Sequence, residues 1–133
     1  MKNNEKPNSI LIVDDDIFVC DIYKKIFIKE DIETDVLHSG KEMIEKLEKK
    51  EKEYDVIILD IFMSEMDGFE ALETAHNRNL LNKSVVIILS NHADQIAQKK
   101  ALKLGARKFI VKSSLLPEGI AKEVLDTFQQ RTS

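Results

Sequence analysis

Short β-branched apolar runs alternate with amphipathic stretches along the whole chain, and that alternation limits the fold more than any other feature. Ile10–Val13, Val56–Leu59, Val85–Leu89 and Lys108–Val111 read as strands, with Glu33–Leu37 as a weaker one. Three of them are unbroken apolar runs, as expected for strands covered on both faces. Between them, segments at about 17–29, 40–50, 68–78, 93–104 and 115–130 carry apolar residues at helical spacing. The punctuation agrees: Ser39 with Glu42 suits a capping box, Gly105 a helix C′ position and Pro117 a helix N1 position. Five βα units in 133 residues predict a single α/β domain. Its architecture is (βα)5, a doubly wound five-stranded parallel sheet with right-handed crossovers and helices on both faces. No internal repeat or linker interrupts the pattern.

Composition removes several function classes. A net charge of −4 supplies no basic stripe for direct nucleic-acid binding. The longest apolar run, Val85–Leu89, is far shorter than a membrane span, and the start MKNNEKPNS lacks the apolar core of a signal peptide. The single cysteine, Cys20, excludes an internal disulfide and a Cys-rich zinc site. It falls in the apolar pattern of the first helix and reads as a buried, inert thiol. A soluble, cytoplasmic protein without membrane insertion is expected.

In open α/β sheets, ligands bind beyond the carboxyl ends of the strands. The residues placed there are Asp14, Asp15 and Asp16 after the first strand, Asp60 after the third, Ser90 after the fourth and Lys112 after the fifth. Converging carboxylates repel one another unless a cation lies between them. A hard divalent ion, Mg²⁺ or alternatively Mn²⁺, meets that need and keeps positions open for water or phosphate. The ammonium and the hydroxyl add a charge and a donor, so the set suits a phosphoryl group that a carboxylate can attack. The chain contains no Gly-rich phosphate loop that would cradle a nucleotide.

The strings ILIVDDD (10–16), VIILDIFMSEMDGFE (56–70), VIILSNHAD (86–94) and GARKFIVKS (105–113) resemble the receiver domain of two-component response regulators. The resemblance spans residues 8–130. It leaves 1–7 as a flexible N-terminus and no effector domain in the chain, the pattern of a stand-alone receiver. It implies a flavodoxin-like fold with strand order 2-1-3-4-5. It also implies that Asp60 accepts a phosphoryl group from a histidine kinase or histidine phosphotransfer protein. Asp15 would bind Mg²⁺ directly, Asp14 mainly through water, and the Phe62 backbone carbonyl would complete the ligand set. Lys112 would pair with the phosphoryl oxygens, Ser90 would be the switch hydroxyl and Phe109 the rotating aromatic. The output is a protein-binding surface over about 93–130, on a monomer or weak homodimer. Chemistry is confined to self-catalysed phosphoryl transfer and slow autodephosphorylation.

Three positions depart from the family's habit. Ser64 and Ser113 stand where prolines are usual, and Asn91 replaces a small residue after Ser90. Asp16 reads as a helix cap. His38, His76 and His92 lack metal-ligand spacing, although His92, two residues past Ser90, could shield a hydrolytic water. The charged run Glu42–Glu53 reads as a solvated helix face. Two alternatives remain: a haloacid-dehalogenase-like phosphatase using Asp14 as nucleophile with Asp16, Ser90 and Lys112, and a receiver-like binding module independent of phosphorylation.

Overall fold

The computed structural model describes residues 5–63, 67–91 and 94–131. The strands are β1 (Ser9–Val13), β2 (Glu33–Leu37), β3 (Val56–Leu59), β4 (Val85–Ser90) and β5 (Ala106–Val111). The helices are α1 (Ile17–Lys29), α2 (Gly40–Lys49), α3 (Gly68–Asn77), α4 (Gln95–Lys103) and α5 (Pro117–Gln129), and Lys112–Ser114 forms one 3₁₀ turn. All strand pairs are parallel, in the order β2-β1-β3-β4-β5. The architecture is the one the alternation of runs predicts, and the strand order is the one the family resemblance implies.

Alternate residues of each central strand feed two separate cores. Leu11, Val13, Ile57, Leu59, Val86 and Ile88 pack against Met43 and Leu47 of α2, Leu72 of α3 and Ala101 of α4. Ile10, Ile12, Val56, Ile58, Ile87 and Leu89 pack against Tyr23 and Phe27 of α1 and Val124 and Phe128 of α5. A strand buried on both faces must be apolar at successive positions, which explains the unbroken runs. The polar residue that ends each run is therefore placed at the sheet edge.

Local details refine the expectations. β5 begins two residues earlier than the expected Lys108–Val111, and a register shift between Val86 and Ile87 accommodates Arg107. The Ser39 hydroxyl accepts the Glu42 N–H as a cap should. The Glu42 carboxylate, however, accepts from the His38 N–H, one residue before the position a capping box uses. In the charged run, Met43, Ile44 and Leu47 are buried, and Lys52 is held by Glu33 and Asp35 beside Tyr54. Within the N-terminal stretch, Pro7 is buried, Lys6 pairs with Glu30 at 2.9 Å and Glu5 with Arg131 at 2.8 Å. Ser64, His92 and Ala93 lie outside the described residues.

Candidate functional site

β1 and β3 are neighbours, so their ends bring Asp14, Asp15 and Asp60 together. One carboxylate oxygen from each lies within 4.8 Å of the others. Asp14 and Asp60 are buried, at 3% and 7% exposure, whereas Asp15 is exposed. Lys112, entering from the end of β5, sets its Nζ 2.6 Å from Asp14 Oδ2 and 3.3 Å from Asp60 Oδ2. Three carboxylates against one ammonium leave excess negative charge at this edge. All the side-chain donors there are oxygen, the set a hard divalent cation prefers. The residues fit Mg²⁺.

The two buried carboxylates are each braced from the backbone. Asp14 Oδ1 accepts the Asp16 N–H at 2.9 Å, and Asp60 Oδ1 accepts the Phe62 N–H at 3.2 Å. The Phe62 side chain is 51% exposed at the rim. Asp16 turns away from the cluster, and its carboxylate caps α1 through the N–H groups of Phe18 and Val19. It is thus engaged as the helix cap expected from the sequence, rather than grouped with Asp14, Ser90 and Lys112 as the phosphatase alternative requires. Cys20 is buried with its thiol donating to the Asp14 carbonyl at 3.3 Å; burial first, then the Asp14 charge, pushes the thiol up to about 12, consistent with an inert role.

Ser90 ends β4 at 1% exposure. Phe109 pairs in register with Ile88, two residues before Ser90, and packs into the core beside α2, α3 and α4. Side-chain alternation therefore places Ser90 and Phe109 on the same face of adjacent strands. After β5 the chain takes its 3₁₀ turn at Lys112–Ser114, and no cis peptide occurs among the described residues.

Two features of this edge were not legible as such. Gly68 is part of the Asp67–Gly68 pair that opens α3. Its position matters because a Cβ there would sit 2.2 Å from the Asp60 carbonyl oxygen and 2.4 Å from Ile61 Cα. A glycine directly after a helix-capping Asp is the signal that could have marked such a close approach. The second feature is His38, whose ring Nδ1 lies 3.0 Å from the Asp14 carbonyl oxygen; its place immediately after β2 was the available clue.

Burial, and then the charge of Asp14, push the Asp60 carboxyl up to about 6, with Lys112 and the Phe62 N–H working the other way. For Lys112, burial favours the neutral form, but the hydrogen bonds and charges of Asp14 and Asp60 outweigh it and raise the ammonium's pKa. The folded Asp60 pKa lies above the unfolded carboxyl's roughly 3.9, so its contribution to stability is greatest at low pH. That contribution is lost as pH rises from about 4 through 6. In EDTA, Asp60→Asn should therefore melt higher than wild type at pH 7.5, by about 5 °C or more for a gain on the order of 2 kcal/mol. The gap should narrow at pH 4.5. Thermal melts at both pH values check this, and an equal or lower melting temperature for the variant at pH 7.5 would contradict it.

A sequence model of the family described as response regulator receiver domain matches residues 10–123. Over 112 residues the chain is 37% identical to chemotaxis protein CheY of Treponema pallidum, covering 84% of this chain and 76% of that one. It is 33% identical over 104 residues to the transcriptional regulatory protein ZraR of Klebsiella oxytoca, covering 77% of this chain but only 22% of ZraR. Among solved structures, a CheY-like response regulator receiver domain protein from Methanospirillum hungatei superposes with a TM-score of 0.81 at 26% identity, covering 95% of this chain and 98% of that one. The receiver domain of the Francisella response regulator 1452 gives 0.79 at 27% identity, covering 95% and 99%.

Proposed function

The chain belongs to the response regulator receiver family, and from that membership we propose that it is a phosphorylation switch in which Asp60 takes a phosphoryl group from a phosphohistidine donor. The observation that carries this is the convergence of Asp14, Asp15 and Asp60 within 4.8 Å, with the Lys112 ammonium against two of them. The unit is residues 8–130, and the donor is a histidine kinase or a histidine phosphotransfer protein.

In the transfer, a carboxylate oxygen of Asp60 attacks phosphorus. The P–N bond to the donor imidazole breaks, and its electron pair returns to the ring nitrogen. Asp60 is left carrying a mixed anhydride. With a pKa of about 6 the Asp60 carboxylate is largely ionised at neutral pH, as a nucleophile must be. Asp14, Asp15, Asp60 and the Phe62 carbonyl would hold Mg²⁺. When bound, Mg²⁺ or Mn²⁺ supplies positive charge to the oxygens of the transferring group. Lys112 is poised to exchange its Asp60 contact for a phosphoryl oxygen.

Readout runs through Ser90 and Phe109. A phosphoryl group on Asp60 draws the Ser90 hydroxyl and Lys112 inward as charge-assisted partners. The space Ser90 vacates lies on Phe109's face of the sheet, so the ring can follow and repack β5 with α4 and α5. The switch is a population shift, driven by tighter binding of the phosphoryl group in one packing. The output surface carries a charge signature on α4 and the start of β5: Lys99, Lys100, Lys103 and Arg107 are exposed there, on a chain of net charge −4, while Lys108 is paired with Glu123 of α5. That supports an acidic protein partner. Apolar Ile96 and Leu102, both exposed, add contact area.

Incubation with acetyl phosphate followed by intact-mass measurement tests the proposal. One phosphoryl group should be added in Mg²⁺, none in EDTA, and hydroxylamine should remove it as it does acyl phosphates. No addition at saturating Mg²⁺, or an adduct that resists hydroxylamine, would refute it.

A further inference from the structure

β1 and β2 separate at the acidic pair. Their ladder runs to Val13 opposite Leu37, and the Asp14 N–H still donates to the Leu37 carbonyl at 3.1 Å. Beyond Leu37 the chain turns into α2, and the His38 N–H goes to the Glu42 carboxylate at 3.1 Å. The next ladder donor to the Asp14 carbonyl would be Ser39, but Ser39 already serves as the N-cap of α2, so β2 supplies none there. It accepts instead from the His38 ring at 3.0 Å and from the Cys20 thiol at 3.3 Å. A carbonyl can only accept, so Nδ1 carries the hydrogen, and a thiol is a weak donor beside an imidazole N–H. The imidazole takes the place in the ladder that the backbone gives up.

The Asp14 carbonyl and the Asp15 N–H belong to one planar peptide, so holding that oxygen fixes the plane from which Asp15 departs. Asp14 has other supports: its carboxylate is held by Lys112 and the Asp16 N–H. Asp15 is exposed, and no described residue donates a hydrogen bond to its carboxylate. Its aim depends on the backbone. We infer that His38 is a positioning residue for the acidic pair: through its Nδ1–H it locks the Asp14–Asp15 peptide and so directs the Asp15 carboxylate at the cation. This rests on the function proposed above, and His38 itself touches neither the cation nor the phosphoryl group.

The test compares wild type, His38→Ala and His38→Asn. The Asn side-chain N–H stands the same number of bonds from Cα as the ring Nδ1–H and can replace it, whereas Ala cannot. Calorimetric Mg²⁺ titration should show Ala weakened about tenfold, the size typical of outer partners of metal ligands, with Asn recovering most of the loss. NMR in EDTA should show the Asp14 carbonyl and Asp15 amide resonances displaced in Ala and returned toward wild type in Asn. A lowered melting temperature with wild-type Mg²⁺ affinity in Ala would make the role purely structural and overturn the inference. Equal weakening in Ala and Asn would overturn it too. If wild type itself binds no Mg²⁺, the proposed function falls, and the EDTA spectra decide alone: unmoved Asp14 and Asp15 resonances in Ala overturn the positioning role.

Discussion

Asp60→Asn should take up no phosphoryl group from acetyl phosphate under conditions that label wild type fully. The amide preserves the shape and the Phe62 N–H contact but has no anionic oxygen to attack phosphorus. Asp14 is the poorer acceptor of the two, because Lys112 holds it at 2.6 Å against 3.3 Å for Asp60 and it lies deeper, at 3% exposure against 7%. Asp15→Ala keeps the proposed nucleophile but removes, from the exposed side, one of the three carboxylates proposed to hold the cation. Mg²⁺ affinity and phosphorylation rate should then fall together, by about tenfold or more. Intact mass and Mg²⁺ titration read the two effects. Labelling that survives Asp60→Asn would place the acceptor elsewhere, and an unchanged titration curve for Asp15→Ala would remove it from the metal site.

Gly68→Ala should be among the most destabilising single substitutions in this domain. The new methyl would lie 2.2 Å from the Asp60 carbonyl oxygen and 2.4 Å from Ile61 Cα, and both are backbone atoms with no rotamer to yield. α3 must back away from the end of β3, pulling Leu72 and Ala75 from the core they share with Leu59. The Gly68 N–H bond to the Ile61 carbonyl, 3.0 Å, would be stretched by the same movement. Overpacking against immovable atoms costs about 3 kcal/mol, which lowers the melting temperature by roughly 10 °C in a domain of this size. Because the clash is with the peptide that carries Asp60, surviving protein should also phosphorylate more slowly. Urea denaturation measures the first effect and timed mass spectra the second. A loss below about 1 kcal/mol would mean that the helix start moves freely, contrary to this packing.

Much of the fold was written in local pattern. Runs such as Val56–Leu59 are apolar at every position because both faces of a central strand are covered, and that is visible without coordinates. Helix ends were marked as clearly: Asp16 caps α1, Pro117 opens α5, and Gly105, at φ 102°, follows α4 in a conformation that glycine tolerates best. Where the pattern misled, it did so at short range. The Glu42 carboxylate reached one residue past the capping-box target, and β5 began before the expected Lys108–Val111, with Arg107 at the register shift.

The site divides along the same line. That Asp14, Asp15, Asp60, Ser90 and Lys112 share one edge follows from the sequence, since a polar residue that ends an apolar run in a parallel sheet has nowhere else to go. Which of them touch does not follow. Lys112 is 98 residues from Asp14 and 52 from Asp60, yet it holds Asp14 more closely, because partner choice depends on strand order and on how far each chain travels before turning. The upward shift of Asp60 depends on burial that only the packed helices create. The meeting of Gly68 with the Asp60 carbonyl, and of His38 with that of Asp14, is decided where two chain segments approach within one atom's width. Periodicity in a sequence carries which face a residue lies on; it carries no information about separations that small between distant segments, and tertiary packing alone sets them.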